Sequence, residues 1–291
     1  MYTCCDRLTP VASILMSVLG VTRGITAQGI DYSSLMIFCL IWGMAGSFIS
    51  LQMSRWMAKK MMGITLLQPN TGGEYAWLYN RVSQIAQAAG LPKTPEIGVY
   101  DSPEVNAFAT GPSKSRSLVA FSTGLLQRMN KEEIEGVAAH EIAHIQNGDM
   151  VTMTLLQGVV NAFVMFLARV IGFFISQSVR EESRAMVQML VVIVLDIALS
   201  ILGSMVVFAF SRHREFHADA GSAKLVGRDK MIAALENLQR YQGLALAAGP
   251  DNEQHASLNT MKINGSGKGF SRLFMSHPPL VDRIAALNKI G

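Results

Sequence analysis

The sequence predicts a mainly helical α+β protein in which multi-pass membrane helices interrupt a water-facing portion that carries a small β-sheet. Of the 291 residues, half are hydrophobic and 16% are charged, against about 25% charged in a soluble globular protein. The apolar residues are gathered into uncharged runs: 23 residues between Asp31 and Arg55, 19 between Asp149 and Arg169, and 27 from Ala185 to Ser211 broken only by Asp196. Each run, as a helix, can cross a hydrocarbon core of roughly 30 Å at about 1.5 Å per residue. Between and after them the composition returns to that of a soluble chain. The same figures exclude a disordered or fibrous protein.

The first segment, residues 8–22, offers 15 uncharged residues between Arg7 and Arg23 and contains Pro10, so it reads as a short span or a half-buried helix. A cleaved signal peptide is disfavoured by Asp6 and by the lack of a small-x-small site. The second run, residues 33–53, is a full span in which Gly43 and residues 45–47 allow a close helix neighbour. Helical periodicity then returns from Glu74 to Ala89, ending at Gly90 and Pro92. Short β-rich pieces follow at residues 97–100, 106–110 and 118–122, separated by Pro103 and by Gly111-Pro112, which predicts a small sheet. The next helix has a start in Asn130 with Glu133 three residues on, and a stop at Asn147-Gly148. Residues 150–210 then read as a membrane hairpin with a polar turn at 176–184. Arg169 and Asp196 within it cost about 2.5–3.5 kcal/mol each on insertion scales, so they are expected to face protein, water or each other. The remainder holds a helix from Asp229 to Tyr241, a glycine-rich polar stretch from Gly243 to Gly269 that reads as a loop, and an amphipathic helix after Pro279.

A formal charge of +4 and a pI near 9.0 raise the question of a nucleic-acid partner. The basic residues answer it by their placement: Arg55, Lys59 and Lys60 follow one membrane run, and Arg212 and Arg214 follow another. That is the pattern of cytoplasmic flanks, not of a nucleic-acid surface, and no nucleic acid is expected as a partner. Three cysteines, one inside a span, do not make a disulfide framework.

Residues 140–144 read HEIAH. On a helix His140 and His144 share one face, so two imidazoles can hold one Zn²⁺ ion. Glu141, rotated by about 100°, can reach water at that metal without displacing it, the placement of a general base. Zinc lowers the pKa of such a water toward about 7. With only 6 histidines in the chain, the motif would arise by chance in roughly one chain in 200 of this composition. The helix also carries an apolar set in Ile134, Val137, Ala138, Ile142 and Ile145, so a surface helix with two incidental histidines is the weaker reading.

A catalytic zinc needs a third protein ligand and an open position. No Gly-x-x-His follows the motif, which moves the search beyond the hairpin to SRHREFHADAGSA at 211–223. If the last membrane helix continues there, Glu215 and Asp219 share one face while His213 and His217 lie about 200° away. Spacing leaves both pairs open, and the near-neutrality of a His₂Glu site favours the carboxylates. Either way the hairpin joins the two helices that share the metal, and both its ends emerge on one side, made cytoplasmic by the basic flanks.

Together with HEIAHIQNGDMVTMTLLQGVVN at 140–161 and SRHREFHADAGSAKLVG at 211–227, the stretches NAFATG at 106–111, STGLL at 122–126 and SHPP at 276–279 carry a resemblance. The sequence resembles the HtpX family of bacterial integral-membrane zinc metalloproteases over nearly its whole length. The resemblance implies a gluzincin-like zinc metalloprotease domain carrying the small β-sheet, fused to multi-pass membrane helices. Its division would be residues 1–60 as N-terminal membrane helices (8–22 and 33–53), 61–149 as the first part of the catalytic domain, 150–210 as the membrane hairpin, and 211–291 as the second part. It implies one Zn²⁺ per chain held by His140, His144 and Glu215, Glu141 as catalytic base, and Asp219 orienting a ligand histidine. It further implies a bacterial cytoplasmic membrane location with the active site facing the cytoplasm, the lipid bilayer and unfolded or membrane-anchored polypeptides as partners, and a role in membrane protein quality control.

Two further elements bear on that activity. Residues 106–110 alternate as an edge strand does, and Asn106, Ala107 and Phe108 there would pair with an extended substrate backbone; an ordinary core strand is the alternative. His277 would donate a hydrogen bond to the tetrahedral oxyanion, against a helix-capping or packing role. The competing functions are a prenyl-protein protease, which should have more spans to enclose a lipidated peptide, and a non-catalytic scaffold stapled by zinc, which would usually close its site with four protein ligands.

Overall fold

The computed structural model describes residues 25–26, 29–69, 73, 75–247 and 275–289. The segment 8–22 and nearly all of the glycine-rich stretch lie outside them. The elements are β1 (Ile25–Thr26), β2 (Gly29–Ile30), α1 (Tyr32–Met61), β3 (Thr65–Leu66), α2 (Ala76–Ala88), β4 (Glu96–Tyr100), β5 (Ala107–Ser113) and β6 (Arg116–Ser122). They continue with α3 (Thr123–Arg128), α4 (Lys131–Asn147), α5 (Asp149–Ser176), a single 3₁₀ turn (Glu181–Ser183), α6 (Arg184–Val226), α7 (Arg228–Ala247) and α8 (Leu280–Asn288). The chain forms two units, one of residues 1–49 and 154–207 and one of residues 50–153 and 208–291.

The first unit contains the apolar parts of α1, α5 and α6, the three helices among the described residues that are long and apolar enough to cross a membrane. Ile37, Ile41, Phe48, Phe163, Phe174, Val194, Ile197 and Leu202 point outward, 57–64% exposed, as lipid-facing side chains do. Helix contacts are made where a side chain is missing: a Cβ on Gly43 would meet Ala162 N at 2.6 Å, so the backbones of α1 and α5 approach closely. The two charged residues within the apolar runs of the hairpin, Arg169 and Asp196, face each other. Arg169, 2% exposed, donates to Met165 O at 2.9 Å and lies 3.8 Å from Asp196.

The second unit is built on a four-stranded sheet in the order β3-β4-β6-β5. β5 and β6 pair antiparallel as a hairpin within the expected small sheet, while β4 adds to β6 in parallel, and β3 pairs antiparallel with β4. Burial follows position: six of the seven residues of the central strand β6 are buried, while β5 is an edge strand, partly exposed at all but one residue. One core lies between this sheet and the helices, with Leu78, Val82, Ile85, Ile97, Val119, Phe121, Leu125, Ile134, Ile142 and Ile145 all at 3% exposure or less. The apolar residues Ile134, Val137, Ala138, Ile142 and Ile145 of α4, the helix that carries HEIAH, belong to that core.

α4 owes its ends to its sequence. Asn130 Oδ1 accepts from Glu133 N and Glu133 Oε2 accepts from Asn130 N, both at 2.9 Å, a complete capping box. Gly148 ends the helix in the left-handed region at φ 74°, which few other residues enter without strain. α7 crosses α4 at Gly136, where a Cβ would lie 2.6 Å from Lys230 O. It runs on past Tyr241 to Ala247, because the residues there include the good helix formers Leu244 and Ala247.

Candidate metal centre

α4 and α6 bring the two halves of the candidate site together. α6 is one helix of 43 residues, so the periodicity of its apolar part carries on through residues 211–223 and fixes which side chains share a face. Glu215 and Asp219 are buried, at 4% and 2% exposure, whereas His213 and His217 are exposed on the other side of the helix. Of the two pairs left open by spacing, the carboxylates are the pair beside His140 and His144.

Among the described residues, His140, His144 and Glu215 are the group whose ligand atoms converge, all within 4.8 Å. His140 Nε2 and His144 Nε2 are 3.1 Å apart, His144 Nε2 is 3.4 Å from Glu215 Oε1, and His140 Nε2 is 3.6 Å from Glu215 Oε2. Four ligands at about 2.0–2.1 Å in a tetrahedron are spaced about 3.3 Å apart, so the three atoms lie at the spacing that a zinc site requires.

The far side of each imidazole is held. His140 Nδ1 donates to Asp219 Oδ1 at 2.9 Å and His144 Nδ1 donates to Asp149 Oδ2 at 2.6 Å. With the protons on Nδ1, two Nε2 lone pairs face each other at 3.1 Å, which is repulsive unless a cation or a proton sits between them. Arg283 of α8 ties the carboxylates from behind, donating from Nη2 and Nε to Asp219 at 2.6 and 2.8 Å, with Nη1 3.1 Å from Glu215 Oε2. Arg214 plays the same part for Asp149 at 2.8 Å. Asp149 and Arg283 were missed in the sequence: the first begins α5, just past the end of the motif helix, with no ligand-like spacing, and the second lies 143 residues from His140.

The electrostatics suit a divalent cation. Glu141, Asp149, Glu215 and Asp219 outnumber Arg214 and Arg283 by two charges. Burial pushes the Glu215 carboxyl up, but hydrogen bonds from His140, His144 and His277 hold it far below the usual carboxylate range. Burial pushes His144 down, yet its bonds to Asp149 and Glu215 carry it up to about 10, so the imidazoles take protons where no metal balances the carboxylates. Glu141 differs from its neighbours: burial pushes it up, and the nearby histidines only partly offset this. It accepts no hydrogen bond from the ligand set and is left as a base of raised affinity for protons.

His277 lies beside the site with Nδ1 2.9 Å from Glu215 Oε2 and a side chain 62% exposed. It is not the cap of α8, whose first turn is entered from Pro279 without a side-chain bond. Asn106 precedes β5, its N and O bonded to Ser122 Oγ and Ser122 N at 3.1 and 3.0 Å. Ala107 and Phe108 open the edge strand itself, which packs against α4.

Comparison with known proteins gives consistent relatives. The profile of peptidase family M48 matches residues 73–291. The chain is 54% identical to the protease HtpX homolog of Bacillus licheniformis over 281 residues, covering 95% of this chain and 92% of that one. It is 52% identical to the protease HtpX homolog of Bacillus subtilis and 47% identical to protease HtpX of Cellvibrio japonicus, at the same coverage. In structure it resembles S. mikatae Ste24p, with a TM-score of 0.64 and 21% identity, covering 97% of this chain and 64% of that one.

Proposed function

We propose, because the chain belongs to peptidase family M48 and to the HtpX proteases within it, that this membrane metalloprotease is a zinc endopeptidase acting on misfolded or damaged membrane proteins. The observation that carries the metal assignment is the 3.1–3.6 Å spacing of His140, His144 and Glu215. Bound there, zinc would polarise the scissile carbonyl and acidify water. Glu141, the carboxylate that burial leaves with raised proton affinity, takes a proton from the attacking water and returns it to the leaving amine. Asp219 and Asp149 hold the imidazoles in the tautomer that presents Nε2.

The substrate backbone lies along the edge strand β5 beside Asn106, Ala107 and Phe108, pairing through Ala107 because Asn106 N and O are already bonded to Ser122, which gives affinity with little sequence preference. His277, anchored by Nδ1 on Glu215, donates from its other ring nitrogen to the developing oxyanion when both nitrogens carry protons. The basic flanks at Arg55, Lys59, Lys60, Arg212 and Arg214 support a cytoplasmic orientation in the bacterial inner membrane. In the test, Glu215→Ala protein purified in detergent is compared with wild type for tightly bound zinc. The expected result is about one zinc per wild-type chain and a loss of at least 100-fold in affinity for the variant; equal zinc in both would remove Glu215 from the ligand set.

A further inference from the structure

We propose that His213 and His217 form a second transition-metal site, separate from the catalytic centre, that takes one Zn²⁺, Ni²⁺ or Cu²⁺ ion. The pair lies on α6, four residues apart and one face away from Glu215 and Asp219. The two Nε2 atoms are 3.1 Å apart, with ring centroids 4.7 Å apart and planes crossed at 79°. The ligand pair His140 and His144 on α4 has the same arrangement, at 3.1 Å, 4.6 Å and 86°.

The spacing selects the class of ion. Two nitrogens at about 2.0–2.1 Å from one metal are roughly 3.3 Å apart in a tetrahedron and roughly 2.9 Å apart on a square-planar edge. A separation of 3.1 Å lies between the two, so zinc and the square-planar ions both fit, while oxygen-seeking Mg²⁺ and Ca²⁺ do not match two imidazoles. The site differs from the catalytic one in its surroundings. Both side chains are exposed, and among the described residues no carboxylate converges on them as Glu215 does on the other pair. The remaining positions are filled by solvent, and binding is weaker than at the three-ligand centre.

The position gives the ion a consequence. Arg212, just before His213, donates to Met275 O at 2.7 Å, and Arg214, between the two histidines, lies 2.8 Å from Asp149, so this stretch of α6 also anchors the segment before α8 and the residue proposed to orient His144. A metal clipped across this turn holds it helical, and the second ion raises the stability of the zinc-loaded protease without entering its chemistry.

Untagged full-length protein in detergent, preloaded with one zinc, is dialysed against rising Zn²⁺ or Ni²⁺, and bound metal is counted by elemental analysis. Wild type is expected to take a second ion, with a rise in Tm. A His213→Gln/His217→Gln double variant should keep its first zinc and its cleavage rate and lose the second ion and the Tm rise. A double variant that still takes the second ion, or a wild type that stops at one, overturns the proposal; so does loss of the first zinc, which would place the pair in the catalytic centre. Cu²⁺ added to zinc-loaded wild type supplies a check that needs no variant. Its paramagnetic resonance spectrum should show two coordinated imidazole nitrogens, and a spectrum without them refutes the site.

Discussion

Replacing Asp149 by alanine is expected to weaken zinc binding by about 10- to 100-fold while the helices stay formed. Asp149 is 6% exposed and accepts from His144 Nδ1 at 2.6 Å, a charge-assisted bond that fixes the ring plane and keeps the Nε2 lone pair free for metal. Its removal frees the ring and takes one negative charge from the site; both effects disfavour a bound cation. Loss of a carboxylate behind a ligand histidine costs about 10- to 100-fold in affinity, or about 1.4–2.7 kcal/mol. Asp149 also begins α5, so a further 0.3–1 kcal/mol or about that appears as lost stability at the helix N-terminus. Asparagine keeps an acceptor without the charge and should fall at the milder end. Zinc affinity is measured by competition with a chromophoric chelator, with circular dichroism as the check on folding. An Asp149→Ala protein that is folded and binds zinc within twofold of wild type would refute the idea that this residue positions His144.

Arg283→Met strips the guanidinium from two buried carboxylates, Glu215 and Asp219, and removing one partner of a buried ion pair costs about 3–5 kcal/mol. Chemical unfolding of the zinc-free protein reads this, and Arg283→Lys should recover only part of it because the forked contact to Asp219 is lost. The pH dependence of stability has a separate test at Glu135. Burial pushes this carboxyl up, but Lys230 and Arg81 more than offset it and hold it below its ordinary value. A lowered folded pKa means the contribution is complete above the unfolded value of about 4.3 and is lost as pH falls through the folded one. Glu135→Gln should therefore lower stability by about 1 kcal/mol at neutral pH, a figure reduced because Arg81 is 37% exposed. The difference should shrink toward zero near pH 3; a constant difference across that range would contradict the sign.

Local signals carried most of what the sequence revealed. α4 could be placed at both ends because a capping box and a left-handed glycine act within three residues of the boundary. The choice between Glu215 with Asp219 and His213 with His217 needed the register of α6, which is set by 43 residues of unbroken helix and not by the tetrad itself. β3 escaped notice because two residues make no alternation to read, and it exists only as a partner of β4. That β4 joins β6 in parallel, while β5 and β6 pair across a short turn, is a consequence of long-range packing. Asp149 and Arg283 stayed hidden for the same reason. Residues that orient a ligand obey no spacing of their own and are found only when the ligand's far nitrogen is seen.

The measurement closest to the central claim compares wild type with Glu141→Gln, both purified in detergent without added metal, for bound zinc and for cleavage of an unfolded polypeptide. The proposed ligand atoms are on His140, His144 and Glu215, which converge within 4.8 Å, and glutamine keeps the volume of Glu141 while removing its ability to take a proton. The account expects one zinc in each protein and cleavage by wild type alone, with the variant slower by about 100-fold or more. Equal cleavage by both proteins, or loss of zinc from the variant, would contradict the assignment of Glu141 as a base that stands outside the metal's ligand set.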